Sequence, residues 1–186
     1  MQSTKHFIIT PKGGQNFINE KEFNGGTLII NTSIEEAIDV NRIGIVVSLP
    51  LNYKGNIKVN DEVVVQHNVF RDWFDSKGRT RKASTHFKDN FYMVAEDLIF
   101  LICRGDEFIA IDEYCFIEPI TEEKKWIGTV EVKHQGKVFF GNDYLKKEGV
   151  SVGDTIGFAV DSEYEFRIYD KKLYRIRNSN ILIKIA

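Results

Sequence analysis

The chain has 186 residues, 42% hydrophobic and 28% charged, with a formal net charge of -2. This is the composition of an ordinary globular protein, and its near-neutrality argues against bulk-charge binding to nucleic acid or anionic membrane. No apolar run approaches the length of a membrane span, and the short apolar run at residues 7–9 is no secretory core, so the expected compartment is the cytosol.

Strand signals dominate in chain order. Short runs rich in β-branched and aromatic residues lie at 7–9, 27–30, 43–49, 62–67, 91–94 and 98–102. Further runs follow at 108–111, 114–117, 128–132, 138–140, 155–160, 165–169, 172–176 and 181–185. Such a pattern, broken by Gly, Asn, Asp and Ser, predicts an all-β barrel or sandwich. Helical signals are thin. Ser33 and Glu36 form a capping-box pair at the head of 33–38, and 142–149 predicts a single turn stopped by Gly149. Cys103 and Cys115 lie in or beside strand-like runs and read as reduced core thiols.

The chain also repeats itself. "KHFIITP" (5–11) returns as "EYCFIEP" (113–119), and "RIGIVV" (42–47) returns as "WIGTVEV" (126–132). "IKVNDEVVV" (57–65) returns as "VSVGDTIGF" (150–158), and "FYMVAEDLIFLI" (91–102) as "LYRIRNSNILIKI" (173–185). Four blocks in one order predict two domains, 1–104 and 105–186, with Gly44 matched to Gly128, Asp61 to Asp154 and Tyr92 to Tyr174. The shared V-x-V-[GN]-D block predicts a turn in which Asn60 and Gly153 take the left-handed conformation. Asp61 and Asp154 then accept backbone N–H groups.

On that pairing, the first copy holds about 24 additional residues, a length that loop priors associate with function. The segment is 12–41. It is polar, has glycine pairs at Gly13-Gly14 and Gly25-Gly26, and carries the apolar run Leu28-Ile29-Ile30. It reads either as a strand with loops that complete the barrel, or as a mobile arm that orders on a partner. The segment 67–88 has a different chemistry. Trp73 and Phe74 precede Lys77, Arg79, Arg81 and Lys82, and residues 76–88 hold five basic residues and no acidic one. Aromatics interleaved with bases suit single-stranded nucleic acid. The plainer reading is a solvated hairpin with its aromatics tucked against the barrel.

Catalytic signatures are missing from the sequence. The four histidines have no metal-ligand spacing, no phosphate-binding or nucleophile-elbow glycine pattern occurs, and the adjacent carboxylates would face opposite ways on a strand. The expectation is a non-enzyme that needs no cofactor and no metal.

In the order "FIITP", "GGTLII", "IGIVV", "IKVNDEVVV", "FYMVAEDLIFLI", the first copy resembles the small co-chaperonins of the GroES type. The second copy resembles them through "FIEP", "IGTV", "VSVGDTIGF" and "LYRIRNSNILIKI". The resemblance implies two tandem irregular antiparallel β-barrels that form a cyclic homo-oligomer, a ring of seven in that family. It implies a lid on an ATP-loaded GroEL-type chaperonin, inside which unfolded clients fold. Leu28 and Ile29, flanked by Thr27 and Ile30, would dock in an apolar groove, with Gly25 and Gly26 as the hinge. The second copy has "ITEEKKW" in place of the loop and would not dock in that way. A virus-encoded lid acting in the host cytoplasm fits this pattern. A structural or assembly protein that uses barrel and arm for subunit contacts is the alternative, and a nucleic-acid-binding barrel is another.

Overall fold

A computed structural model describes residues 1–17, 20–23, 26–29, 40–111, 113–169 and 171–185, with the backbone alone for 20–23 and 26–29. The chain divides into two compact units, Met1–Glu107 and Phe108–Ala186. Both are built from antiparallel strands. The expected helix at 33–38 lies outside the described residues.

In the first unit the strands are β1 (Phe7–Pro11), β2 (Glu20–Phe23), β3 (Gly26–Ile29), β4 (Ile43–Ser48) and β5 (Glu62–Val65). They are followed by β6 (Trp73–Phe74), β7 (Thr80–Arg81), β8 (His86–Lys88), β9 (Phe91–Val94) and β10 (Ile99–Arg104). The unit boundary falls within β11 (Glu107–Ala110). The second unit has β12 (Tyr114–Lys124), β13 (Gly128–Phe140), β14 (Thr155–Phe158), β15 (Tyr164–Ile168), β16 (Lys171–Arg177) and β17 (Ile181–Ile185). An α-turn, α1 (Asp143–Lys147), is capped by Asn142, whose side chain accepts from the Leu145 N–H at 2.9 Å.

The two main sheets have the same plan. One runs β11-β10-β5-β4-β1-β9-β8, and the other, read from its far edge, runs β17-β14-β13-β12-β16-β15. Strand for strand, β1 matches β12, β4 matches β13, β5 matches β14, β9 matches β16 and β10 matches β17. The registers agree residue by residue. Ile9 faces Tyr92 as Ile117 faces Tyr174. Even an irregularity recurs, with Phe100 skipped between Ile99 and Leu101 and Leu182 skipped between Ile181 and Ile183.

One sequence match is corrected by these registers. Pro11 faces Gly44 while Pro119 faces Gly136, so the counterpart of Gly44 is Gly136 and not Gly128. Packing gives the reason. A Cβ on Gly44 would collide with the Ile9 side chain and a Cβ on Gly136 with that of Ile117, the matched isoleucines. Gly128 sits instead at a hairpin tip with φ 79°.

The shared aspartate turn forms in both units. Val46 N–H donates to Asp61 C=O at 3.0 Å and Val138 N–H to Asp154 C=O at 2.9 Å. Asn60 and Gly153 take φ 72° and 94°. Asp61 accepts from the Lys58 N–H and Asp154 from the Ser151 N–H, both at 2.7 Å.

Neither sheet closes on itself among the described residues. Closure of the second would require β15 to pair with β17, and these are its two open edges. The core of the second unit packs Cys115, Ile117, Val138, Leu145, Val150, Ile156, Phe158 and Ile176. Cys103 and Cys115 are both buried and unbridged. Burial pushes the Cys115 thiol up to about 12, so it stays protonated and inert.

Candidate docking arms and the basic hairpin

Both units depart from the shared plan at one point, immediately after the proline of their first strand. Proline offers no N–H to continue a ladder. From Pro11 to Gly44 is 33 steps along the chain, and from Pro119 to Gly136 is 17. The first arm is therefore longer, but the second unit has an arm as well. Sequence comparison missed it because "IGTV" was set against "IGIV", which hides the hairpin inside the match.

The root of the first arm is tightly held. Asn41, buried, donates through Nδ2 to the Lys12 and Gln15 carbonyls at 2.9 and 2.8 Å. Its Oδ1 accepts from the Ile43 N–H at 2.9 Å, and its own N–H donates to the Asn16 carbonyl at 3.0 Å. Asn16 Nδ2 donates to the Tyr92 hydroxyl at 2.6 Å. Lys12 pairs with Glu62 at 2.8 Å, and Phe17 bridges Val40. Beyond this root, β2 and β3 pair with each other, Lys21 opposite Leu28 and Glu22 opposite Thr27. Among the described residues that pair joins neither main sheet. Gly26, Thr27, Leu28 and Ile29 thus lie on one strand of a small hairpin. Gly25 and Ile30 lie outside the described residues.

The second arm is a β-hairpin formed by the far ends of β12 and β13. It leaves the sheet at a bulge. Pro119 faces Gly136 and Thr121 faces Glu131, so β13 spends the longer stretch, with His134 at φ 59°. Pairing then continues to Lys124 and Gly128. The tip is a tight turn closed by the Ile127 N–H donating to the Lys124 carbonyl at 3.1 Å. Gly128 supplies the left-handed residue that three-residue hairpins need. The tip carries Trp126, 91% exposed, and Ile127, 72% exposed. A tyrosine also holds this arm near its root, with the Tyr174 hydroxyl donating to Glu131 at 2.7 Å. Lys172 pairs with the same carboxylate at 2.6 Å. Burial opposes the charge on Glu131, but Lys172 and Tyr174 together outweigh it and keep the carboxyl below its ordinary value.

The basic segment folds as the hairpin β6–β7, Trp73 opposite Arg81 and Phe74 opposite Thr80. Asp75 organises its turn, accepting the Lys77 and Arg79 N–H groups, each at 2.9 Å. Its other oxygen pairs with Arg81 at 3.0 Å, and Lys82 pairs with Asp72 at 2.7 Å. Lys77 and Arg79 make no ion pair among the described residues. Trp73 and Phe74 are 47% and 44% exposed, so these two aromatics are not tucked away, whereas Phe70 is fully buried against Tyr92. The second unit has only residues 159–163 between β14 and β15, so this hairpin belongs to the first unit alone. Among the described residues, no cluster of His, Cys, Asp or Glu could hold a metal ion, and no helix is long and apolar enough to cross a membrane.

No protein-family model and no curated protein matches the chain.

Proposed function

We propose that this protein is a co-chaperonin-like lid, built from two tandem copies of one barrel-derived unit. It grips a GroEL-type chaperonin through the arm at 12–41 and assists ATP-dependent folding of client proteins in the cytoplasm. The observation that carries the reading is the place and form of that arm. A small β2–β3 hairpin bearing Thr27, Leu28 and Ile29 is inserted after the first strand, on a root held by Asn41 and Tyr92. A firm root with an apolar strand beyond it suits docking into an apolar groove, because little of the carrier needs ordering on binding.

The test is a pull-down on an ATP-loaded chaperonin. Leu28→Asp or Ile29→Asp should abolish capture with the fold unchanged, since a carboxylate entering an apolar groove is heavily penalised. Unchanged capture in both variants rejects the reading.

Single-strand binding by the basic hairpin is the second reading, favoured by the exposure of Trp73 and Phe74. It is the weaker of the two, because Asp75 and Asp72 neutralise Arg81 and Lys82. Salt-dependent binding of an oligonucleotide that is lost in Trp73→Ala would raise it above the lid.

A further inference from the structure

The second unit carries an open groove of about 600 Å³, a volume within the range of small-molecule sites. Its wall is aromatic. Phe108 stacks on Phe140 at 4.6 Å, Tyr169 stands edge-on to Phe108 at 6.1 Å, and Phe139 stands edge-on to Phe140 at 4.7 Å. Val152, 61% exposed, and Gly153 of the aspartate turn line it too.

This wall is peculiar to the second unit. By register, Lys137, Phe139 and Phe140 stand where the first unit has Ile45, Val47 and Ser48. Gly153 stands where the first unit has Asn60. The shared plan is thus altered at one spot, towards aromatic rings, an open turn and a cation. Tyr169 adds a second sign of a built site. It takes φ 48° in the β15–β16 turn, a conformation that Asn or Gly would adopt more cheaply. An aromatic ring held beside a groove at a conformational cost is the kind of outlier that concentrates at binding sites.

The charges select the ligand. Among the described residues, the charged groups lining the groove are Glu118, Lys137 and Lys171. Glu118 faces Lys137 in the ladder but pairs with Lys171, at 3.9 Å. Lys171 also lies over the Phe139 ring, 4.3 Å from its centroid. Lys137 makes no ion pair among the described residues. Its stem runs beside the open turn, with Cε 3.9 Å from where a Cβ on Gly153 would sit.

We infer that this groove binds a small aromatic carboxylate, its ring against Phe108 and Phe140 and its carboxylate on Lys137. Phenylalanine faces and edges take a flat ring by offset or edge-on contact, and a charge-assisted hydrogen bond to the ammonium fixes one end of the ligand. A monoanion suits the site better than a dianion, because Lys171 is already engaged by Glu118 and Phe139. The site uses neither docking arm nor the basic hairpin, so its test is separate from that of the proposed lid.

The experiment is isothermal titration calorimetry of the full chain, at low salt, with 2-naphthoate and with its neutral isostere 2-naphthamide. The carboxylate should bind with a dissociation constant on the order of 100 μM, which a ligand of that size can reach. The amide should bind about tenfold more weakly, for want of the charged contact. Lys137→Met keeps the apolar stem, so it should bring 2-naphthoate down to the level of the amide and leave the amide unchanged. Val152→Asp puts a carboxylate on the wall and should weaken both probes, with unchanged circular dichroism because Val152 is exposed. No binding of 2-naphthoate at about 5 mM overturns the inference and leaves the groove to a macromolecule. Equal affinity for the two probes overturns it, as does a Lys137→Met variant that binds 2-naphthoate undiminished. Undiminished binding by Val152→Asp puts the probe elsewhere on the protein and overturns it too.

Discussion

Tyr92 and Tyr174 occupy the same register position in the two sheets, and each places its hydroxyl on the root of its own unit's arm. Tyr92 accepts from Asn16 at 2.6 Å, and Tyr174 donates to Glu131 at 2.7 Å. The partner has changed from an amide to a carboxylate, yet the tyrosine's position is the same. Each tyrosine sits opposite the isoleucine two residues before the proline where the arm departs. The hydroxyl thus ties the sheet to whatever the chain does next.

Tyr92→Phe removes the shorter of the two acceptors of the half-buried Asn16 amide, leaving Asp72 at 3.5 Å, and should cost about 1 kcal/mol. The local consequence is more telling than the global one. Amide exchange at residues 40–43 should accelerate, while β5 and β10 keep their protection. Tyr174→Phe should do less, because Lys172 still holds Glu131.

Asn41 knots both ends of the first arm through four hydrogen bonds. Asn41→Ala strands two carbonyls and one N–H and should destabilise the first unit by about 2 kcal/mol. Urea unfolding measures the loss. Chaperonin capture, if the lid reading holds, should weaken because the root must then be ordered on binding.

The corrected glycine match has its own test. Gly44→Ala and Gly136→Ala should each cost about 2 kcal/mol, because the new methyl meets a buried isoleucine in a packed sheet. Gly128→Ala meets no neighbouring atom and carries only the left-handed backbone penalty, about 1 kcal/mol. Thermal melts should therefore rank Gly136→Ala as more damaging than Gly128→Ala. The reverse ranking would restore Gly128 as the match.

Acid should strike the two aspartate turns. Burial opposes the charge on Asp61, but Arg104, which donates at 2.6 and 2.8 Å, and the Lys58 N–H outweigh it. Lys184 and the Ser151 N–H hold Asp154 down as well. Both folded values lie below the ordinary aspartate value, so this stabilisation is fully present above about pH 4 and is lost as pH falls through the folded values. Asp61→Asn should cost about 2 kcal/mol at neutral pH. Its deficit against the wild type should shrink steadily as the pH drops from about 4 towards 2 in urea titrations.

The strands, their duplication and the aspartate turns were legible in the chain itself, because each is a local matter. The short apolar runs at 91–94 and 181–185, rich in aromatic or β-branched residues, mark β9 and β17 at their observed bounds. The left-handed residue at Asn60 or Gly153 and the acceptor at Asp61 or Asp154 fall within five positions of one another. Register and insertion were decided by the tertiary structure. Gly44 resembles Gly128 in its neighbours, "RIGIV" against "WIGTV", yet the glycine that must lack a side chain is the one pressed against an isoleucine 19 residues earlier. Only pairing of β12 with β13 reveals that residue as Gly136. The second arm was invisible for the same reason, because a hairpin is a statement about which strand ends stay paired. "TEEKKWIG" reads as a charged loop until Thr121 is found opposite Glu131, which lifts Trp126 into solvent. The open edges of the two sheets are likewise a matter of long-range pairing. Alternating strands promise that sheets form, but whether an edge finds a partner depends on strands far apart in sequence, and periodicity carries no information about that.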